Sequence, residues 1–152
     1  MATIEKAIMI ATVAHAGTFD KAGQPYILHP IRVMTYLDNQ EPQLEEKRIV
    51  AVLHDVIEDT PMTYEALSAY GFNSSIIEAL KSVTKLEGES KMNAARRAVN
   101  NSIGRAVKLA DLKDNMDLGR IKNPTEKDLA RNEIYKKVKA LLEKGPVKKK
   151  SK

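Results

Sequence analysis

Cysteine is absent from this chain. Disulfides, thiolate zinc sites and cysteine nucleophiles are therefore excluded, which fits a cytoplasmic protein. No run of about 18 apolar residues occurs, so no membrane span and no membrane partner are expected. The opening MATIEKAIMIATVAHAG has an early acid and no basic leader, and it reads as an amphipathic helix rather than a signal peptide. No stretch alternates with period two long enough to demand a strand. Internal repeats, low-complexity blocks and linkers are missing ahead of residue 147.

What is present is ordinary for one globular domain: 152 residues, 43% hydrophobic and 30% charged. The net charge of +5 is concentrated at the end, where VKKKSK holds four lysines and no acid. Residues 1–146 are expected to form the domain. Residues 147–152 are expected to be a solvated, disordered tail with no specific nucleic-acid partner.

The pattern is helical nearly throughout. Thr3 caps a first helix with Ile4, Ala7, Ile8 and Ala11 on one face. Gly17, Gly23 and Pro25 break the loop GTFDKAGQPY. His29-Pro30 starts a second helix, with Pro30 at its first position. A third runs from Pro42 to Asp59 and is stopped by Pro61. Thr63 and Asn73 cap the next two, and Gly71 separates them. Residues 86–93 read as a loop or mobile lid. Helices follow over roughly 91–101 and 103–118. Thr125 and Asp128 form a capping pair for the last, which ends near 143. The expected fold is a compact all-α bundle of about seven or eight helices.

Residues 52–61, VLHDVIEDTP, place His54, Asp55, Glu58 and Asp59 among apolar neighbours. On a continuous helix His54 stands beside Glu58 and Asp55 beside Asp59, so all four are able to face one pocket. Carboxylates this close repel one another. A bound cation relieves that, and so does a hydrogen-bond network with an arginine. Two other stretches supply partners: His29 in PYILHP, and Asp111 in AVKLADLKDNMDL, with Asn115 four residues on and Lys108 three before. His29, His54, Asp55 and Asp111 make a mixed nitrogen and oxygen set suited to a six-coordinate divalent ion. Mn²⁺, Fe²⁺, Co²⁺, Ni²⁺ and Zn²⁺ are all compatible with it.

The order H…HD…D, carried by HAG-x5-GQPYILHP, HDVIEDT and KLADLKDNM, resembles the HD-domain phosphohydrolases. More narrowly, it is similar to the hydrolase domain of RelA/SpoT homologues and to stand-alone small alarmone hydrolases, over roughly residues 4–142. The resemblance implies an all-helical fold and a nucleotide substrate. The implied reaction is Mn²⁺-dependent removal of the 3′-pyrophosphate from guanosine tetra- or pentaphosphate, without synthesis. By matching position it implies His29, His54, Asp55 and Asp111 as metal ligands and Glu58 and Asp59 as the catalytic acids. Lys21 matches a basic residue near the nucleotide, and Asn115 a polar residue facing its sugar-phosphate. Lys21, Lys108 and Arg120 are candidates to stabilise departing pyrophosphate.

Two positions depart from the family pattern. Asp20 stands where an arginine commonly contacts the guanine, and Leu112 follows KLAD where arginine is common. Asp20 thus favours another substrate, such as the 2′-phosphate of NADPH or a deoxynucleotide. A third reading is a nucleotide-binding module without turnover. Other residues carry plainer expectations. His15 is a core or supporting histidine. Phe19, Tyr26 and Tyr135 are packing residues, Asp114 and Asp117 solvated charges, and Arg96 and Arg97 an exposed face.

Overall fold

The computed structural model describes residues 2–146, and the lysine-rich segment 147–152 lies outside them. The described residues form nine α-helices and no strand: α1 (Ile4–His15), α2 (Leu28–Thr35), α3 (Leu44–Leu53), α4 (Val56–Asp59), α5 (Tyr64–Ala69), α6 (Ser74–Val83), α7 (Lys91–Ala98), α8 (Ser102–Asn115) and α9 (Glu126–Lys144). A 3-10 turn covers Leu118–Arg120. The all-α expectation holds. None of these helices is long and apolar enough to cross a membrane.

Most boundaries follow local chemistry. The side chains of Thr3, Thr63, Asn73, Ser90 and Asn101 each accept a backbone N–H in the first turn of the helix they precede. Thr125 and Asp128 close a reciprocal capping box at α9. Gly71, at φ 100°, takes the left-handed conformation that ends α5. Pro30 falls two residues inside α2 rather than at its start. It still lies in the first turn, where a missing N–H costs nothing.

The expected third helix is divided. Its start shifts to Leu44, after Gln43 at φ 56°, and it stops at Leu53. His54 and Asp55 form a turn before α4 resumes. The single helix expected over 42–59 therefore becomes two, and the interruption falls on the two residues with the most polar work to do.

Two apolar clusters organise the helices. One is built from α1, α2, α3, α6 and α8, with Ile10, Val33, Val50, Leu53, Leu80 and Val107 inside it. The other joins α7, α8 and α9 through Ala95, Leu112, Val138 and Leu142. Each fully buried leucine here contributes about 1.5–3 kcal/mol relative to exposure. Helix α8 serves both clusters, so little of its surface is left for water, and a polar side chain on it must find a protein partner or a ligand. Its approach to α6 is close at Gly104, where a Cβ would come within 2.0 Å of Ser82 Oγ.

Candidate metal centre and flanking cavities

Three segments bring polar atoms to one point. The turn after α3 supplies His54 and Asp55, the first turn of α2 supplies His29, and α8 supplies Asp111. One ligand atom from each of these four residues lies within 4.8 Å of every other. His29 Nε2 and His54 Nε2 stand 3.0 and 3.2 Å from Asp111 Oδ1. They stand 3.5 and 3.0 Å from Asp55 Oδ2.

The tautomers follow from the other ring nitrogens. His54 Nδ1 is 2.6 Å from the carbonyl oxygen of Ala51, which can only accept, so Nδ1 carries the hydrogen. His29 Nδ1 donates likewise to Asp114 Oδ2 at 2.6 Å. Both Nε2 atoms then present lone pairs to two carboxylate oxygens that also carry lone pairs. That arrangement requires positive charge at its centre, either as protons on Nε2 or as a cation shared by all four atoms. The protein alone draws in protons. Burial opposes a charge on either imidazole, but the surrounding aspartates outweigh it and raise both histidines, His54 strongly. Burial likewise opposes ionisation of Asp55, yet His54 holds that carboxyl low; for Asp111 the opposing partners are Lys108 and His54. Two neutral imidazoles and two carboxylates in this arrangement fit a divalent ion of borderline softness.

A surrounding layer fixes these groups. Tyr26 OH donates to Asp55 Oδ2 at 2.6 Å. Lys108 Nζ donates to Asp111 Oδ2 at 2.9 Å, and Asn115 Nδ2 to Asp111 Oδ1 at 3.0 Å. Asp114 accepts from His29, Tyr36 and the guanidinium groups of Arg32 and Arg120. The expectation of a solvated Asp114 is overturned: its side chain is 0% exposed, because α8 is covered on both flanks and His29 reaches it from α2. Tyr26 is corrected too, since its hydroxyl enters the site. His15 is buried with its ring 4.9 Å from that of Tyr26, and its Nε2 has no hydrogen-bond partner among the described residues.

Two cavities flank the cluster. The larger, about 280 Å³, is lined by Phe19, Lys21, His29, Asn115, Arg120 and Tyr135 among others. The second, about 170 Å³, is lined by His54, Asp55, Glu58, Lys85, Lys91 and Lys108 among others, and it shares Asn115 and Tyr135 with the first. Glu58 thus faces the same space as His54 and Asp55, even though the helix is broken between them. Asp59 is exposed at the end of α4 and lines neither cavity, so the expectation that all four acidic and imidazole groups face one pocket holds for three of them. Flanking protein, then the charges of Asp55 and Glu58, push the Asp59 carboxyl up to about 6. Lys21 is tied to Asp128 at 3.1 Å on the larger cavity's wall.

Three further expectations change. Phe19 is 63% exposed at the rim of the larger cavity rather than packed. Asp20 does not present a free charge there: its Oδ1 accepts the N–H groups of Ala22 and Gln24, and its Oδ2 lies 3.6 Å from Arg120. Arg97 is no idle surface charge. It donates to the carbonyls of Lys81 and Thr84 and to both oxygens of Glu89, fastening the segment expected as a mobile lid.

The chain is similar to several known proteins. The bifunctional (p)ppGpp synthase/hydrolase SpoT of Escherichia coli K12 is 33% identical over 147 residues, covering 87% of this chain and 20% of SpoT. A guanosine-3′,5′-bis(diphosphate) 3′-pyrophosphohydrolase of Haemophilus influenzae is 42% identical over 80 residues, covering 52% of this chain and 11% of that protein. The chain therefore spans about a fifth or less of the length of these relatives. A solved structure described as a metazoan ortholog of SpoT that hydrolyzes ppGpp superposes with a TM-score of 0.76 at 22% identity, covering 97% of this chain and 89% of that one, which establishes a shared fold. Residues 7–117, which include the histidine-aspartate turn and Asp111, match the family model described as the HD domain, and the chain belongs to the HD-domain family.

Proposed function

We propose that residues 1–146 form a metal-dependent hydrolase that removes the 3′-pyrophosphate of guanosine tetra- or pentaphosphate, with Mn²⁺ held by His29, His54, Asp55 and Asp111. The observation that carries this reading is the convergence of four ligand atoms within 4.8 Å, with both histidine Nδ1 hydrogens already committed elsewhere. The names of the relatives supply the substrate class.

When bound, the ion supplies positive charge that lowers the pKa of water and neutralises phosphate oxygens. The chain's own groups do the rest. Tyr26, Lys108 and Asn115 hold the two ligating carboxylates in place. Glu58, on the same cavity as His54 and Asp55, takes a proton from the attacking water. The water oxygen bonds to the phosphorus attached to ribose O3′, the O3′–P bond breaks, and a proton passes to O3′. Glu58, having taken the water's proton, returns one to O3′, while Asp59, which lines neither cavity, acts on the site through its charge alone. The products are the 3′-hydroxyl nucleotide and pyrophosphate.

A second reading, hydrolysis of a different nucleotide, is favoured by the loop at 17–25. With Asp20, at the position where the family pattern has arginine, turned inward, that loop offers the exposed Phe19 beside it, and an aromatic face stacks on any base. One assay separates the two: purified protein with Mn²⁺, presented with guanosine tetraphosphate, NADPH and deoxynucleotides, and read by phosphate and pyrophosphate release. Chelator-sensitive pyrophosphate release from guanosine tetraphosphate is the expected result. Phosphate release from NADPH alone moves the assignment to the second reading.

A further inference from the structure

Helix α1 supplies no ligand to the candidate metal centre, yet its last residue is buried beside it. His15, the one histidine outside the ligand set, is 2% exposed. Its ring centroid lies 4.9 Å from that of Tyr26, with the two planes tilted by 49°. Tyr26 stands 5.7 Å from the ring of His29, and His29 stands 5.3 Å from that of His54. The four rings thus run in series from α1 into the centre. The backbone follows the same route. Thr18 N–H donates to the His15 carbonyl, Tyr26 N–H to that of Thr18 and His29 N–H to that of Tyr26, at 3.1, 2.8 and 3.0 Å.

Packing alone does not require an imidazole at this position. Nε2 of His15 is buried without a hydrogen-bond partner among the described residues. Such an atom costs stability, and a leucine would fill much of the same space without it. His15 lines neither flanking cavity, so it is not placed to touch a nucleotide. Burial lowers its pKa against the pull of Asp55, so the ring brings no charge to the centre at neutral pH. What it does bring is an aromatic face. Tilted ring pairs hold a preferred geometry that an aliphatic side chain does not impose. The ring held in this way is that of Tyr26, whose hydroxyl donates to Asp55 Oδ2 at 2.6 Å. That oxygen is the one facing His29 Nε2 and His54 Nε2, at 3.5 and 3.0 Å. The hydrogen bond occupies one of its lone pairs and so fixes where the rest point.

We propose that His15 is a positioning residue for the metal centre: its ring sets the angle of Tyr26, and the Tyr26 hydroxyl in turn aims Asp55 as a ligand. Without that ring Tyr26 is free to turn, and the Asp55 carboxylate loses the contact that fixes its orientation. The buried, unpartnered nitrogen is tolerated because the ring that carries it does this work. The effect on metal affinity rests on the four-residue site alone, and the effect on turnover rests on the hydrolase reading above.

The test is a double-mutant cycle of His15→Leu and Tyr26→Phe. Mn²⁺ affinity is measured by titration of metal-free protein, and the thermal midpoint is measured in chelator. His15→Leu should match or exceed the wild-type midpoint, because it removes a buried nitrogen that has no partner. Its Kd for Mn²⁺ should nonetheless rise about tenfold, the low end for a lost supporting contact. Tyr26→Phe should do the same, and the double variant should stay within about twofold of Tyr26→Phe alone, because both substitutions break one chain of contacts. At saturating Mn²⁺, kcat for guanosine tetraphosphate should fall about tenfold in His15→Leu while KM moves less than about twofold. If the leucine variant does not fold, His15→Gln takes its place in the cycle with the same expected affinities. Wild-type Mn²⁺ affinity in the His15 variant, or losses that multiply in the double variant, overturns the assignment. Coupled loss of Mn²⁺ affinity in a protein that cleaves no guanosine tetraphosphate leaves the positioning role standing and removes the hydrolase reading instead.

Discussion

His29 Nδ1 donates to Asp114 Oδ2 at 2.6 Å across 85 positions of sequence, and this one contact turns the lone pair of Nε2 toward the metal centre. The same carboxylate neutralises Arg32 and Arg120. Asp114→Asn keeps the shape but removes the charge that favours this tautomer. Metal affinity should fall about 10–100-fold, the usual cost of losing such a supporting partner. Asp114→Ala should also destabilise the fold by about 2–3 kcal/mol. That is below the roughly 3–5 kcal/mol of a fully buried pair, because both arginines retain access to water. Metal titration and thermal unfolding read the two effects. Unaltered affinity in Asp114→Asn would mean that the His29 tautomer is set by something else.

Asp111 touches both histidines, Lys108 and Asn115. Asp111→Ala should therefore lose bound metal, measured by elemental analysis of protein purified without chelator. Bound metal stabilises only the folded state, so a chelator should lower the wild-type melting temperature and leave that of the variant unmoved. A variant that keeps stoichiometric metal removes Asp111 from the ligand set, and so does one still destabilised by chelator.

Glu58 lines the cavity beside His54 and Asp55 but forms no hydrogen bond to any of the four candidate ligands among the described residues. Its replacement by glutamine should leave metal content and the melting temperature as they are. Turnover should drop at least about a hundredfold, the low end for loss of a general base. Single-turnover kinetics against metal content make the comparison. A variant with normal turnover reduces Glu58 to a cavity wall.

The parts of this molecule set by neighbours in sequence were readable in advance. Thr3, Thr63, Asn73 and the Thr125–Asp128 box act within one helical turn, and so does Gly71. The four converging residues stood out because polar groups among apolar ones need a partner. The misreadings arose where the partner comes from far along the chain. Asp114 looked solvated because it stands between Lys113 and Asn115, with Asp111 and Asp117 three residues away on its own helical face. Its burial depends on α2, and the only local hint was a shared spacing: His29 and Arg32 lie three apart, as do Asp111 and Asp114, so two adjacent faces could interlock. Tyr26 and Arg97 were missed for the same reason, with partners in Asp55 and in the carbonyls at the C-terminal end of α6. The break at His54–Asp55 was hidden because helix propensity does not register a turn imposed by tertiary contacts.

The clamp on the 85–90 segment has its own pH signature. Arg97, with the Leu86 N–H, holds the Glu89 carboxyl down to about 2 from an ordinary 4.5, and the Glu89 side chain is 11% exposed. A depressed folded-state pKa contributes stability that is fully present above the unfolded value and is lost as pH falls through the folded one. The contribution of Glu89 should therefore be constant above about pH 5 and decline between about 4.5 and 2. Glu89→Gln lacks that titration. Its melting temperature should lie below that of the wild type at pH 7, and the gap should close as pH is lowered through this window. Hydrogen exchange at residues 85–90 should follow the same course, with the wild type loosening on acidification and the variant loose throughout. Equal melting temperatures from pH 7 to pH 3 would mean that Arg97 grips the Lys81 and Thr84 carbonyls alone and that the Glu89 contact adds nothing.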